Sequence, residues 1–321
     1  MKHRAIAWAG VTAGLAAIGG SAAFWRYGFT SPPPYMQGEA IALEAPLRPW
    51  EEHDRIVKAR GWPYVFRVDG RHHLVYFGAG HTQDPRDPQI AEVRRLWESL
   101  QPTAALCEGR LGFFAGGFDA GVRMFGESGA VYRLARRGGV PIYSLELPYE
   151  REIAAVLAHG HIPKRVALYY TLRVFWGDDG HHSSDPATLA AELLRKRTDV
   201  AGLRGTLSTV AEMDELWAKD QPGSPSWRSQ AGLDAGTPLE AVEATSRRVR
   251  TEHMARAVID LALKGERVFA IAGGSHVIRQ EPAIRAALGL PPPEPAPERG
   301  AQGEPDRFKG GTPIRVYAVD L

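Results

Sequence analysis

Twice in this chain an apolar, β-rich run stops at small residues and is followed at once by a histidine. The first copy ends Leu74-Val75-Tyr76-Phe77-Gly78-Ala79-Gly80-His81, and the second runs Val268-Phe269-Ala270-Ile271-Ala272-Gly273-Gly274-Ser275-His276. Short apolar runs bounded by glycine, rich in Val, Ile and aromatic residues, read as buried strands. An acid–proline pair follows each histidine within seven residues, Asp87-Pro88 and Glu281-Pro282, and then an apolar-periodic segment. The chain therefore has to accommodate two alike strand ends, and the simplest solution is one site built between them.

The segments around the first copy supply the fold class. Tyr64-Val65-Phe66-Arg67-Val68, then Asp69-Gly70, then the 73–77 strand is a hairpin pattern. Pro88 can open a helix on which Ile90, Val93, Leu96, Trp97 and Leu100 recur at helical spacing. Gln101-Pro102 stops that helix, and Ala104 to Cys107 form the next strand, ending in Glu108. Strand, helix, strand is a βαβ unit, which implies parallel strands with ligand sites at their carboxyl ends. Further on, the pattern gives an irregular glycine-rich stretch at 111–129, a helix from Ala130, a strand ending near Glu146, and helices at 150–159, 166–176 and 186–197. A long helix from Thr237-Pro238 to about Lys264 precedes the second strand–histidine copy, which a short helix to Leu288 follows. A last strand at 314–319 reads as a sheet edge. The expected fold is α/β: a single domain over 52–321 with a mixed, largely parallel central sheet flanked by helices.

With 321 residues, 44% of them hydrophobic, the chain can bury a substantial core. A formal charge of +2 and the lack of any basic stripe argue against nucleic acid as partner. The single cysteine, Cys107, excludes an internal disulfide and any multi-cysteine metal site, and reads as a small core residue. Lys2, His3 and Arg4 before an uncharged Ala5–Trp25 run, with Ser21-Ala22-Ala23 near its end, have the layout of a secretory signal. That run is also long enough to serve as an uncleaved membrane anchor. Residues 1–27 are thus expected to export the protein to the periplasm or cell exterior, or to anchor it in the membrane. The Pro-rich stretch 28–51 reads as a linker.

His81, Glu108 and His276 all fall at strand carboxyl ends, and Glu146 occupies the same place on another strand. In an open α/β sheet such positions converge. Two imidazoles and a carboxylate are the ligand types of a catalytic divalent metal, which leaves a position for water. The same three groups could instead form a metal-free acid–base set. His181-His182 read as a solvated loop, His72-His73 as alternating across a strand, and His159 and His161 as a helix end.

On four segments the chain resembles the TraB/Tiki group, which includes GumN-like proteins. The superfamily also holds erythromycin esterases and ChaN-like haem-binding proteins. The segments are Gly78-x-x-His81 with the strand ending in Glu108, Ser144-Leu145-Glu146-Leu147-Pro148-Tyr149-Glu150-Arg151-Glu152, Arg250-Thr251-Glu252-His253-Met254-Ala255, and Gly273-x-x-His276. Thr251 stands where the family usually has Asn, and Arg151-Glu152 where it has Glu-Gln. The resemblance implies a metal-dependent hydrolase, a peptidase above all, with Mn, Co or Zn as the ion. It carries His81, Glu108 and His276 over as the central set, with Arg250 alongside to hold a substrate carboxylate or oxyanion. His253, on the same helix face as Arg250, is a weaker candidate. The expected substrate is a peptide or small molecule. The alternative is a non-catalytic protein that binds haem, a peptide or a metal in the same crevice, for which the aromatic 111–126 loop would suit.

Overall fold

The hairpin forms where the alternation places it, and the rest of the sheet grows from its second strand. The computed structural model describes residues 31–38, 41–109, 111, 116–177, 185–229, 232–295 and 316–320. The N-terminal segment 1–27, Phe113, Phe114, the His181-His182 loop and most of the 289–311 loop lie outside the described residues. The chain divides into two compact units, Met1–Glu146 with Met254–Leu321, and Leu147–His253, where the sequence pattern had suggested a single domain. The second unit is set apart because its helices bury their apolar faces in a core of their own.

In the first unit, β1 (Tyr64–Asp69), β2 (His73–Ala79), β3 (Ala104–Cys107), β4 (Ile142–Ser144), β5 (Arg267–Gly273) and β6 (Val316–Asp320) form one mixed sheet in the order β4-β3-β5-β2-β1-β6. Only the β1/β2 hairpin is antiparallel. The parallel register sets Ala79 of β2 opposite Gly273 of β5, so the two alike strands finish level. Alternate residues go to opposite faces. Phe66, Leu74, Tyr76, Leu106, Val268 and Ala270 pack one core, with α1 (Trp50–Arg60), the Met254–Ala262 part of α8 (Pro238–Leu263) and α9 (Gly274–Ala287). Val65, Val75, Phe77, Ala105, Phe269 and Ile271 pack the other, with α2 (Pro88–Leu100) and α3 (Phe118–Gly138). Burial on both faces is what a parallel sheet requires, and it explains why β2 and β5 read as continuous apolar runs. Cys107 is fully buried between these layers, and burial pushes its thiol up to about 12, as suits an inert core residue.

Two further expectations change. Pro33 to Tyr35, assigned to the linker, instead add a rung to the sheet: Ser144 N donates to Pro33 O at 2.8 Å and Tyr35 N to Ser144 O at 2.9 Å. Proline is tolerated there because an edge needs no N–H on its outer side. The 111–129 stretch is not irregular throughout, because α3 starts at Phe118. Its glycines serve packing: a Cβ on Gly129 would stand 2.1 Å from the Gly121 carbonyl oxygen, so the two halves of this kinked helix meet backbone to backbone. The short helix expected to end at Leu288 forms as α9, and the two acid–proline pairs sit differently in their helices. Glu281-Pro282 lies inside α9, which begins directly at Gly274, whereas Asp87 caps α2 by accepting from Gln89 N at 2.9 Å.

The second unit comprises α4 (Tyr149–Ala158), α5 (Pro163–Gly177), α6 (Pro186–Arg197), α7 (Val210–Asp220) and α8 up to His253. Trp227, Tyr170, Phe175 and Leu168 fill its core. Inside it Glu152 is buried and accepts from Tyr170 Oη at 2.7 Å, Ser246 Oγ at 2.8 Å and Arg173 Nη1 at 3.1 Å, so its charge is paired. Helix α7, which no apolar periodicity announced, opens on a reciprocal Thr209–Glu212 capping box. No described helix is long and apolar enough to cross a membrane.

Candidate functional site at the carboxyl ends of the parallel strands

Strands β2, β3, β4 and β5 are each followed by one polar group at the same end of the sheet, and glycines decide how close some of these come. Glu108 is the residue after β3; its own N–H bonds to Ile271 O at 2.9 Å and its carbonyl accepts from Ser128 Oγ at 2.9 Å, which fixes the backbone beneath the carboxylate. Glu108 Oε2 accepts from Gly273 N at 2.5 Å, and Oε1 lies 3.4 Å from His276 Nε2. Both side chains are about one-fifth exposed, at 21% and 22%. His276 occupies the first turn of α9, so Gly273 ends the strand and the helix begins at once. The point that a Cβ on Gly273 would occupy lies 2.8 Å from His81 Nε2 and 3.4 Å from Glu108 Oε2. His81 and Glu108 therefore flank one small volume that exists because residue 273 has no side chain. His81 is exposed and has a left-handed φ of 51°, uncommon for a residue other than glycine.

His81, Glu108 and Gly273 border a cavity of about 290 Å³ whose walls also include Glu146 and Glu127. Glu146, two residues past β4, has its N–H bonded to Ser144 Oγ at 3.1 Å. Of the sequence-derived candidates, His81, Glu108 and Glu146 line this cavity, and His276 stands against Glu108. Arg250 and His253 belong to the second unit, on α8. Among the other histidines, His72 Nδ1 lies 3.2 Å from Ala262 O and His159 Nδ1 2.8 Å from Ala155 O, both backbone contacts.

Two further sets of groups escaped the sequence pattern. Glu127, in α3, is 5% exposed and accepts from Thr82 N at 2.7 Å. Burial pushes its carboxyl above the usual range, against the backbone N–H bonds and nearby His81, which act the other way. Nothing in the sequence marks it, since it falls in the glycine-rich stretch that reads as irregular, and a glutamate is ordinarily exposed. The second set is Ser275 and His53: Ser275 Oγ lies 3.1 Å from His53 Nε2, and His53 Nδ1 2.8 Å from Asp54 Oδ1. His53 was hidden in the stretch next to the linker.

A mixed, mainly parallel α/β sheet with imidazoles and carboxylates gathered at its strand ends defines a protein with a carboxyl-end crevice of acid–base character. Compared with protein-family models, with curated proteins and with solved structures, the chain finds no match.

Proposed function

We propose that this crevice is a hydrolytic centre acting on an amide or ester carbonyl, a peptide bond first of all, with His81, Glu108 and His276 as its working groups. The observation that carries the reading is the convergence of His81 and Glu108 on the space above Gly273, with His276 against the second oxygen of Glu108. The resemblance to the TraB/Tiki group adds the expectation of a divalent ion, Mn, Co or Zn. The donor types, two imidazoles and a carboxylate, are ones such an ion takes. Among the described residues no three such side chains already converge on one point. His81, Glu108 and His276 would hold the ion, which when bound would polarise the carbonyl and acidify water.

The chain's own groups have separable tasks. Glu108 is held by the Gly273 N–H, so its other oxygen is aimed at His276 and orients that imidazole. In a metal-free version of the same centre His81, exposed at the mouth, would instead take a proton from water and return it to a leaving group. Glu146 adds negative charge to the wall, which favours a cationic group in the crevice. Arg250 as an anchor for substrate carboxylate rests on the resemblance alone. Residues 1–27, read as signal or anchor, would put the centre outside the cytoplasm.

The test uses the chain purified without an affinity tag. Elemental analysis should find bound Mn, Co or Zn. Stripping with chelator should abolish cleavage of a peptide library, restored by one of the three ions, and His81→Ala should be inactive. No bound ion and no cleavage, with His81→Ala indistinguishable from wild type, would overturn the proposal.

One observation favours a second reading, metal-free ester hydrolysis. Ser275, His53 and Asp54 form the hydrogen-bond order of nucleophile, base and orienting carboxylate, at the first turn of α9 where backbone N–H groups are unclaimed by the helix. The Asp54 side chain is 74% exposed, which weakens it as an orienting group. On this reading a fluorophosphonate probe should label Ser275 in chelator-treated protein, and His53→Ala should abolish labelling. An unlabelled Ser275 removes this reading.

A further inference from the structure

We propose that Glu127 is a positioning residue of the hydrolytic centre: it clamps the loop that carries His81 so that the imidazole stands over Gly273. The inference rests on the hydrolytic reading of the crevice and adds to it a residue on a different element.

A glutamate within a helix is expected on the solvent side, so a 5% exposed one needs a cause. Helix α3 supplies it. The helical path breaks at Phe125 (φ −134°, ψ 19°) and Gly126 (φ 56°, ψ −140°) and restarts at Glu127. The break turns the chain under the His81 loop, where a Cβ on Gly126 would stand 2.8 Å from the Thr82 carbonyl oxygen. Only a residue without a side chain allows that approach at that φ. The next residue then places Glu127 Oε1 2.7 Å from Thr82 N.

The bond sits immediately after His81, whose left-handed φ of 51° is uncommon for a residue other than glycine. On the other side, Gly80 N donates to Gln89 Oε1 at 3.1 Å, and Gln89 is 2% exposed. The histidine is thus bracketed by two buried acceptors, Gln89 from α2 and Glu127 from α3, each holding a neighbouring peptide N–H. Glu127 is the stronger of the two, because a carboxylate accepting a backbone N–H makes a charge-assisted bond. A buried carboxylate is otherwise expensive to retain. Its return is the fixed direction of the His81 side chain.

The experiment compares full-length wild type, Glu127→Ala, Glu127→Gln and Gln89→Ala in two assays. Backbone amide exchange at Thr82 reads the clamp, and the visible absorption of added Co2+ reads the metal environment. Glu127→Ala is expected to speed Thr82 exchange at least tenfold. It should also weaken Co2+ binding by roughly 10–100-fold, as for other groups that orient a ligand, and shift its d–d bands. Glu127→Gln keeps an oxygen acceptor and should restore most of both, which a purely structural role for the charge would not do. Gln89→Ala should move both in the same direction by less, and carries the test if Glu127→Ala does not fold. Unchanged Thr82 exchange in Glu127→Ala overturns the clamp. Faster exchange with an unchanged Co2+ spectrum and affinity overturns the positioning role. A wild type that takes up no Co2+ overturns the positioning role; if it also holds no Mn or Zn and cleaves no peptide, the hydrolytic reading falls with it.

Discussion

If the crevice is the proposed hydrolytic centre, Gly273→Ala is expected to fold like the wild type and to lose at least about 100-fold in peptide hydrolysis, the penalty for displacing a reacting group by an ångström or so. Gly273 has φ −54° and ψ 137°, an extended conformation open to any L-residue, so alanine adds no backbone strain. What it adds is a methyl group whose nearest neighbours are His81 Nε2 at 2.8 Å, His81 Cε1 at 3.2 Å and Glu108 Oε2 at 3.4 Å. These are side-chain ends, and His81 is exposed, so the ring can swing outward at a stability cost within about 1 kcal/mol. The displaced imidazole then no longer shares the space above β5 with Glu108. Gly274→Ala is the control. Its methyl would fall 1.7 Å from the Trp62 ring, so it should instead destabilise the fold by about 1–3 kcal/mol. Urea midpoints and the cleavage assay, run on both variants, separate the two effects. A Gly273→Ala protein with wild-type activity would remove His81 and Glu108 from the mechanism.

Features set by near neighbours in the chain were readable from residues alone. The 64–68 and 73–77 alternation gave the hairpin, Asp87-Pro88 the start of α2, Thr237-Pro238 that of α8, and the strand-terminal positions of His81, Glu108 and Glu146 their place on one sheet end. What failed depended on distant backbone. The glycines of 111–129 look like a loop until Gly121 and Gly129 are seen to let two helical halves touch. Glu127 reaches the crevice wall only because Gly126 passes beneath Thr82. The two strand–histidine copies, alike in sequence, differ in structure: His81 lies in a loop with left-handed backbone, while His276 starts a helix. Their likeness reflects a shared need for small residues where packing is tight. Gly78, for instance, has the Cα of Gly274 2.9 Å from where its own Cβ would be.

The two acid–proline pairs should part company in stability measurements, and Glu281→Ala is expected to cost about 3–5 kcal/mol, the usual result of stripping one partner from a buried ion pair. Glu281 is 1% exposed inside α9. Its Oε1 accepts from Arg285 Nε at 2.7 Å and its Oε2 from Tyr64 Oη at 2.6 Å, with Arg48 Nη2 at 3.8 Å. Burial, reinforced by the Glu281 charge, raises the Tyr64 hydroxyl far above its ordinary range, so the phenol stays a donor. Alanine would leave Arg285, itself 8% exposed, facing a void with only the Pro291 carbonyl at 3.1 Å to accept from it. Arg48 suffers less, because it keeps Glu52 at 3.3 Å. Adding Arg285→Leu to Glu281→Ala should therefore recover part of the loss, since it removes the stranded charge rather than restoring the pair. Asp87→Ala deletes only a helix cap and should cost about 1 kcal/mol. Chemical denaturation of the four proteins decides the matter. Equal losses at Asp87 and Glu281 would mean that Glu281 works as a cap, as its sequence context suggests, and that the buried network contributes little.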